Sequence, residues 1–552
     1  MNDTSLSYAS VIPLRRVPER FSVLSYSYDN TVAVTRGDVV KMPFGKNEIF
    51  GVVISTQQFK PSFGVKKIEG VFPYCLGEKT LSMIDALHKQ YHVPYAQIVQ
   101  LFISSTTLEA LNKKNIQDNL IGATDKHEAT IDNSVDPEIP KFPYRLYIEK
   151  SASDRSELIN KLLQKKGGTT LIVLPEQYAL SHIEKRLRDE QINFVSYHGE
   201  IKPRDRATIW NNALNGVPQT IVTTRIGLFL PFKELSNIIL FDEDNESYEE
   251  IRSPHYHAVD IARLLTETYN ATFSSVVPAP LFETWFACES NYKTHKVFQL
   301  TQTKETPTKV TIIPMSEERM SGNRGPLSDI ALQKIASTLA LNKQVLLFIN
   351  RRGVVSMTVC KDCDTVSSCP RCETALTSHR SGEFKCHRCN FSSESITACR
   401  NCGSLRQKSI GLGTQGIEDL LNTIFAQAKI VRLDSDSIKG SKERKIALSF
   451  EELDSADIIV ATKIIDKPLD LPRLATSIAV VPDSLLHIPH FRAEEKALQT
   501  LARLKVNTKE NMIIQTYLPK SAVYQALETG NLMPFYIQER DTRKLLRLAP
   551  FN

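Results

Sequence analysis

The chain has no run of 18 apolar residues, so nothing in it is suited to crossing a membrane as a helix. It opens MNDTSLSYASVIPL, without the basic n-region and apolar h-region of an export signal, which makes the reducing cytoplasm the expected compartment. Neither sign of charge dominates: the net charge is +6 over 552 residues. Nucleic-acid binding is therefore permitted but not demanded, and any basic footprint has to be local. No HExxH and no HxE…PCxxC pattern occurs, which excludes the familiar hydrolytic and deaminating zinc sites. Cysteine is nearly missing outside one segment; the two exceptions, Cys75 and Cys288, stand alone and read as core or surface residues.

The other eight cysteines form four consecutive CxxC pairs within 43 residues: Cys360/Cys363, Cys369/Cys372, Cys386/Cys389 and Cys399/Cys402. A CxxC turn delivers two sulfurs to one metal, and two Zn2+ ions each take four thiolates. A disulfide framework would need an oxidising compartment and is disfavoured by the length and the confinement of the thiols. With every coordination position filled, the zinc is structural and supplies the folding energy that so small a module lacks. Spacing alone leaves three ways of joining four pairs into two sites. Lys385, Arg388, Arg400, Arg406 and Lys408 lie among the later pairs, either as a nucleic-acid or partner surface or as compensation for the negative metal centres.

The length predicts three or four domains. Residues 1–105 read as a β-rich unit, with β-branched runs punctuated at Arg36-Gly37-Asp38 and Gly45-Lys46-Asn47 and a helix from Thr80 to Tyr91. Residues 106–141, rich in Asn, Asp, Lys and Thr and ending in Pro137 and Pro140, read as a linker. From there TLIVLP, QTIVTT, NIILFDE, VLLFIN, DIIVAT and SIAVVP alternate with amphipathic segments such as Tyr178 to Glu190. Apolar strands of this kind, buried on both faces, predict parallel sheets in two α/β lobes, 142–309 and 310–359 with 411–552. The cysteine segment, 360–410, interrupts the second lobe as an insertion.

NRRG (Asn350 to Gly353), the eight cysteines at these spacings, GLGTQGIEDL and VRLDSDS resemble the primosomal protein N′ (PriA) family of replication-restart helicases. PLRRVPERF, MPFGK, TLIVLPEQYAL, YHGEI, TTRIGLFLPF, DEDNESYEE, YHAVDIA, FRAEE and IQTYLP agree in the family's order, so the resemblance runs from end to end. It implies an α/β fold of two RecA-like helicase-type lobes with a double-zinc insertion, preceded by a small domain that recognises a nascent 3′ end. It also implies that Cys360/Cys363 share a metal with Cys399/Cys402, and Cys369/Cys372 with Cys386/Cys389.

The motor residues of that family are only partly matched. Where its phosphate loop would hold ATP, this chain reads EKSASDRSE; Arg155 and Ser156 stand in place of Lys-Thr, and the two glycines become Glu149 and Asp154. A carboxylate repels a polyphosphate, and the loop's left-handed turns favour glycine. Asp242 and Glu243 are retained as the pair that would hold Mg2+ and orient water, but the following Glu-His is Asp244-Asn245. The Gly-Arg-rich segment that would supply arginine to the γ-phosphate is replaced by a shorter stretch in which Arg503 reads as a solvated helix residue. ATKIIDKPLDLP (Ala461 to Pro472) replaces the stretch that couples nucleotide to DNA. The expectation is a protein without productive ATP/Mg2+ binding.

The DNA-binding side is better kept. MPFGK retains Gly45 and Lys46, while the family's Asp in its end-recognition stretch is matched by Ser22. The linker is too short for the family's winged-helix domain, and LAPFN falls where its final domain would begin. The sequence thus predicts a reduced, non-unwinding protein that binds DNA forks and recruits other primosome or replication-restart proteins through the zinc module. Two rivals are a working 3′–5′ helicase with a divergent nucleotide site and a zinc scaffold that does not touch DNA.

Overall fold

The computed structural model describes residues 6–58, 61, 63–113, 144–151, 154–163, 168–290, 296–299, 308–323, 325–350, 357–363, 367, 369–370, 376–378, 383–386, 391–393, 398–410, 414–433, 450–462, 471–488 and 490–551. It divides into two compact units: residues 1–146, 160–276 and 291–297, and residues 147–159, 277–290 and 298–552. Among the described residues no helix is long and apolar enough to cross a membrane.

The first unit begins with six strands, β1 (Leu6–Pro13), β2 (Leu24–Asp29), β3 (Asp38–Phe44), β4 (Asn47–Gln57), β5 (Lys66–Lys67) and β6 (Gly70–Cys75), in the sheet order β5-β2-β1-β4-β3-β6. Alternate residues such as Val11, Val40, Met42 and Val53 turn inward onto one core. Helices Glu78–Tyr91, Tyr95–Phe102 and Ser105–Lys113 follow. Residues 106–113, expected as the head of a linker, are thus helical, because Leu108 and Leu111 share a face and are both buried. Residues 114–141 lie outside the described residues.

These helices seat the β-rich part on the first α/β lobe. Its strands are β7 (Tyr144–Ile148), β8 (Thr170–Val173), β9 (Val195–Tyr197), β10 (Thr220–Thr223), β11 (Asn237–Phe241), β12 (Thr272–Val277) and β13 (Lys296–Gln299), in the order β13-β7-β12-β11-β8-β10-β9. The pairings from β12 through β11, β8 and β10 to β9 are parallel. Trp210, on helix Pro203–Asn215, is buried and donates its indole N–H to the Phe102 carbonyl at 2.8 Å. Phe102 meets Phe229 edge-on at 5.4 Å, and Tyr74 meets Trp210 at 6.0 Å. The apolar residues of the small domain are spent on the lobe as well as on its own core.

The second unit carries β14 (Lys309–Pro314) and β15 (Gln344–Ile349), then a separate antiparallel sheet of β16 (Met357–Cys360), β17 (Thr377–Ser378), β18 (Phe384–Lys385), β19 (Ser392–Ser393) and β20 (Gln407–Ile410). The lobe resumes with β21 (Ile430–Leu433), β22 (Ile458–Ala461), β23 (Leu474–Val480) and β24 (Asn511–Thr516), giving the order β14-β24-β23-β15-β22-β21, all parallel. Every residue of β15, β22 and β23 is buried, as apolar strands covered on both faces should be.

Helix Ala493–Asn507 is buried nearly all round. The expectation of a solvated Arg503 is therefore corrected: it is 5 % exposed, because the helix that carries it lies inside the lobe and not on its surface. A buried charge cluster anchors the same helix. Arg543, on helix Met533–Leu545, is 0 % exposed and donates to Glu495 at 2.6 Å, Glu539 at 2.7 Å and Glu283 at 3.2 Å, with its guanidinium 4.2 Å from the Phe282 ring centroid. Arg492 grips Glu283 with two bonds of 2.6 and 2.8 Å. Burial would raise the Glu283 carboxyl, but the Arg492 hydrogen bonds outweigh it and hold it below its ordinary range, whereas burial pushes Glu495 up. Arg543→Leu should cost about 3–5 kcal/mol in urea denaturation, because Glu495 and Glu539 keep their burial and lose the guanidinium between them, with only Glu495 still bonded to Arg492. The exposed Arg16→Leu should stay within about 0.5 kcal/mol.

Candidate functional site

β16 ends on Cys360 and pairs with β20, so the two ends of the insertion lie side by side with Cys360 opposite Gln407. The Sγ atoms of Cys360, Cys363, Cys399 and Cys402 lie within 4.8 Å of one another. Cys360 and Cys402 are 3.6 Å apart, and Cys363 and Cys399 3.4 Å. A tetrahedral ion with metal–sulfur bonds of about 2.3 Å sets the sulfurs about 3.8 Å apart, so the set fits such an ion and is consistent with zinc. The Ser404 N–H would favour the Cys402 thiolate, but the neighbouring thiols, Cys363 foremost, push the thiol up to about 12. Four sulfurs this close need a cation before they can all ionise. Gly403 adopts φ +72°, closing the second CxxC turn with its N–H on the Cys399 carbonyl at 2.8 Å. Arg406 and Ser404 both bond to Asp362, so at least one of the cations among the cysteines is used to brace the first turn.

The outer cysteine pairs are thus brought together. Of the inner pairs, Cys369 and Cys386 are fully buried in a small cluster with Leu376 and Phe384; Cys372 and Cys389 lie outside the described residues. Cys288 is buried and Cys75 exposed, each away from the four-sulfur group.

In the second unit, the stretch expected to face nucleotide phosphates runs from β7 to helix Asp154–Leu163. Arg155 donates from Nε and Nη2 to the two carboxylate oxygens of Glu149, both at 2.8 Å. Asp154 Oδ2 accepts from the Lys150 N–H at 2.7 Å and the Ser151 N–H at 3.0 Å, and Oδ1 from the Ser151 hydroxyl at 3.1 Å. Glu149 and Asp154 are each 3 % exposed. Ser156 lies in the helix.

Asp242 and Glu243 follow β11 in the first unit. Asp242 has φ +53°, a backbone conformation uncommon for a non-glycine residue, and its N–H donates to the Val276 carbonyl at 2.9 Å. Glu243 is 0 % exposed and accepts from the Ser275 hydroxyl at 2.7 Å. Asn245 caps the next turn through the Ser247 N–H at 2.9 Å, and Arg225 bonds to the Ser247 carbonyl and to Glu250. Of the two retained acidic residues, Glu243 engages its carboxylate in the fold and Asp242 its backbone N–H.

At the other candidate position, Gly45 and Lys46 make the exposed turn between β3 and β4, with Gly45 at φ +65° and its carbonyl taking the Lys66 ammonium at 3.1 Å. Arg15, which sequence reasoning did not single out, lies over the Phe44 ring at 5.8 Å and is exposed beside that turn, as is Arg16 next to it in the chain. The signal is present in PLRRVPERF, which reads for its resemblance and not for its charge. Ser22 is buried, with its N–H on the Glu19 carbonyl.

Released with a mercurial, the metal of the purified chain should amount to two zinc equivalents for eight cysteines. Cys399→Ser should lose one equivalent and unfold the insertion before the lobes, read as new proteolytic sites between residues 357 and 410.

Comparison with known proteins bears on these positions directly. Residues 13–104 match the 3′DNA-binding domain (3′BD) family. The replication restart protein PriA of Bacillus subtilis is 28 % identical over 418 residues, covering 73 % of this chain and 51 % of that protein. Its counterpart in Synechocystis is 29 % identical over 404 residues, covering 70 % and 48 %. That of Thermotoga maritima is 25 % identical over 506 residues, covering 89 % and 67 %. The chain spans about half the length of the first two relatives. Among solved structures, RecG bound to a three-way DNA junction covers 72 % of this chain and 41 % of that one at 11 % identity, with a TM-score of 0.38, too low to add anything further. By sequence, this chain is similar to the 3′DNA-binding domain (3′BD) family over residues 13–104 and to the replication restart proteins PriA over most of its length.

Proposed function

We propose that this protein binds DNA at fork and junction structures and takes part in replication restart without ATP-driven unwinding. The reading is carried by one observation: the 3′BD match, residues 13–104, takes in β2 to β6 of the six-stranded sheet, with the exposed turn that presents Gly45 and Lys46 and with Arg15 beside it. Phosphate contacts from these cations and from the lobes would position the DNA, and recognition would follow the shape of the fork, since no base-reading motif occurs. The engaged states of Glu149, Asp154, Arg155 and Glu243 support nucleotide-independent binding. Two Zn2+ ions would hold the insertion. It forms its own small sheet and adds no strand to the lobe's parallel one, which suits it to docking other replication-restart proteins.

The test is fluorescence anisotropy with a forked DNA bearing a free 3′ end, run beside an ATPase assay. Three phosphate contacts would lower affinity about 40-fold between 50 and 200 mM salt. The double variant Arg15→Glu/Lys46→Glu should weaken fork binding by at least about tenfold, with hydrolysis absent throughout. Absence of fork binding would favour a zinc-held scaffold; DNA-stimulated hydrolysis abolished by Asp242→Ala would restore the helicase.

A further inference from the structure

The loop between β7 and helix Asp154–Leu163 has the strand–loop–helix form in which related motors hold phosphate, and the residues here do not fit a nucleotide. Among the described residues, two of its backbone donors are already taken. The Lys150 and Ser151 N–H groups converge on one oxygen, Asp154 Oδ2, and the Ser151 hydroxyl completes the cradle on Oδ1. Asp154 is also the first residue of the helix, where a negative charge is favoured by the unpaired N–H groups. The cation that would meet phosphate oxygens, Arg155, is forked onto Glu149, a carboxylate whose side chain is fully buried.

We infer that Asp154 is a built-in stand-in for phosphate, and that with the Glu149–Arg155 pair it keeps this loop closed with no ligand bound. An incoming polyphosphate would have to expel one carboxylate from its backbone donors and take the guanidinium from another, while placing its own charge beside both. No displacement of that kind is built into the loop, so its conformation is set by the chain alone. DNA affinity should then be the same with MgATP, with MgADP or with neither. A loop closed in this way accounts for the nucleotide independence proposed above, and it rests on that reading for the equivalence of residues 149–156 with a phosphate loop.

Hydrogen exchange on the zinc-loaded full chain, followed in peptides spanning residues 148–156, reads the loop directly. In the wild type the Lys150 and Ser151 amides should exchange slowly, and millimolar MgATP or pyrophosphate should not change them. Asp154→Ala should speed them about tenfold while amides of β15 and β23 stay protected. Should that variant fail to fold, Asp154→Asn, which keeps an oxygen acceptor without its charge, should give an intermediate rate. Slowing by MgATP in the wild type, or unaltered amides in both variants, would overturn the inference. Anisotropy with the fork on the same samples separates the two readings: a protected loop without fork binding removes the proposed function only, and fork binding with an unprotected loop removes this inference only.

Discussion

The second unit is organised around a positive charge it cannot hydrate. Arg543 is 0 % exposed, so its guanidinium must be met by carboxylates, and those carboxylates must come from somewhere. They come from helices Phe282–Ser290, Ala493–Asn507 and its own, which fixes how the three lie against one another. Taking these charges out of water costs much of what their attraction returns, so the cluster is better read as a specifier of one packing than as a source of net stability. An apolar trio of helices could slide; here each of the three carboxylates is tied to Arg543 by a hydrogen bond. Glu495 shows the tension within the cluster, because burial pushes its carboxyl up while it bonds to Arg543, Arg492 and the Phe282 N–H.

The same logic recurs at smaller scale at the acidic residues of this chain that stand where the sequence resemblance would put a nucleotide. Glu243 is bonded to Ser275 within its own sheet, Asp154 to the amides beside it, and Glu149 to Arg155. Charges that face a ligand must stay hydrated or be strained until it arrives; charges that face the protein need neither.

What could be read from the sequence was whatever depends on near neighbours. The CxxC turns are local chemistry, and the strands TLIV and QVLLFI carry near-continuous apolar runs because parallel strands are covered on both faces. Residues whose surroundings are assembled from afar were not legible. QERDTRKLL looks solvated, yet Arg543 within it meets partners 48 and 260 positions away. Arg503 looked solvated for the same reason and is buried. Helix Ser105–Lys113 was hidden by its polar composition, since two leucines suffice once Leu108 and Leu111 find a surface to bury. At the nucleotide position the loss of glycine was visible, but not that Asp154 would fold back onto the Lys150 and Ser151 amides.

The pairing of β16 with β20 has a topological consequence. A chain excursion whose two feet are already zipped together is a side branch: the entropy of bringing its ends close is settled at the base, whatever its length. Additions and deletions in the branch are therefore invisible to the trunk, and the parallel lobe can keep its register while the branch drifts in size, charge and docking chemistry.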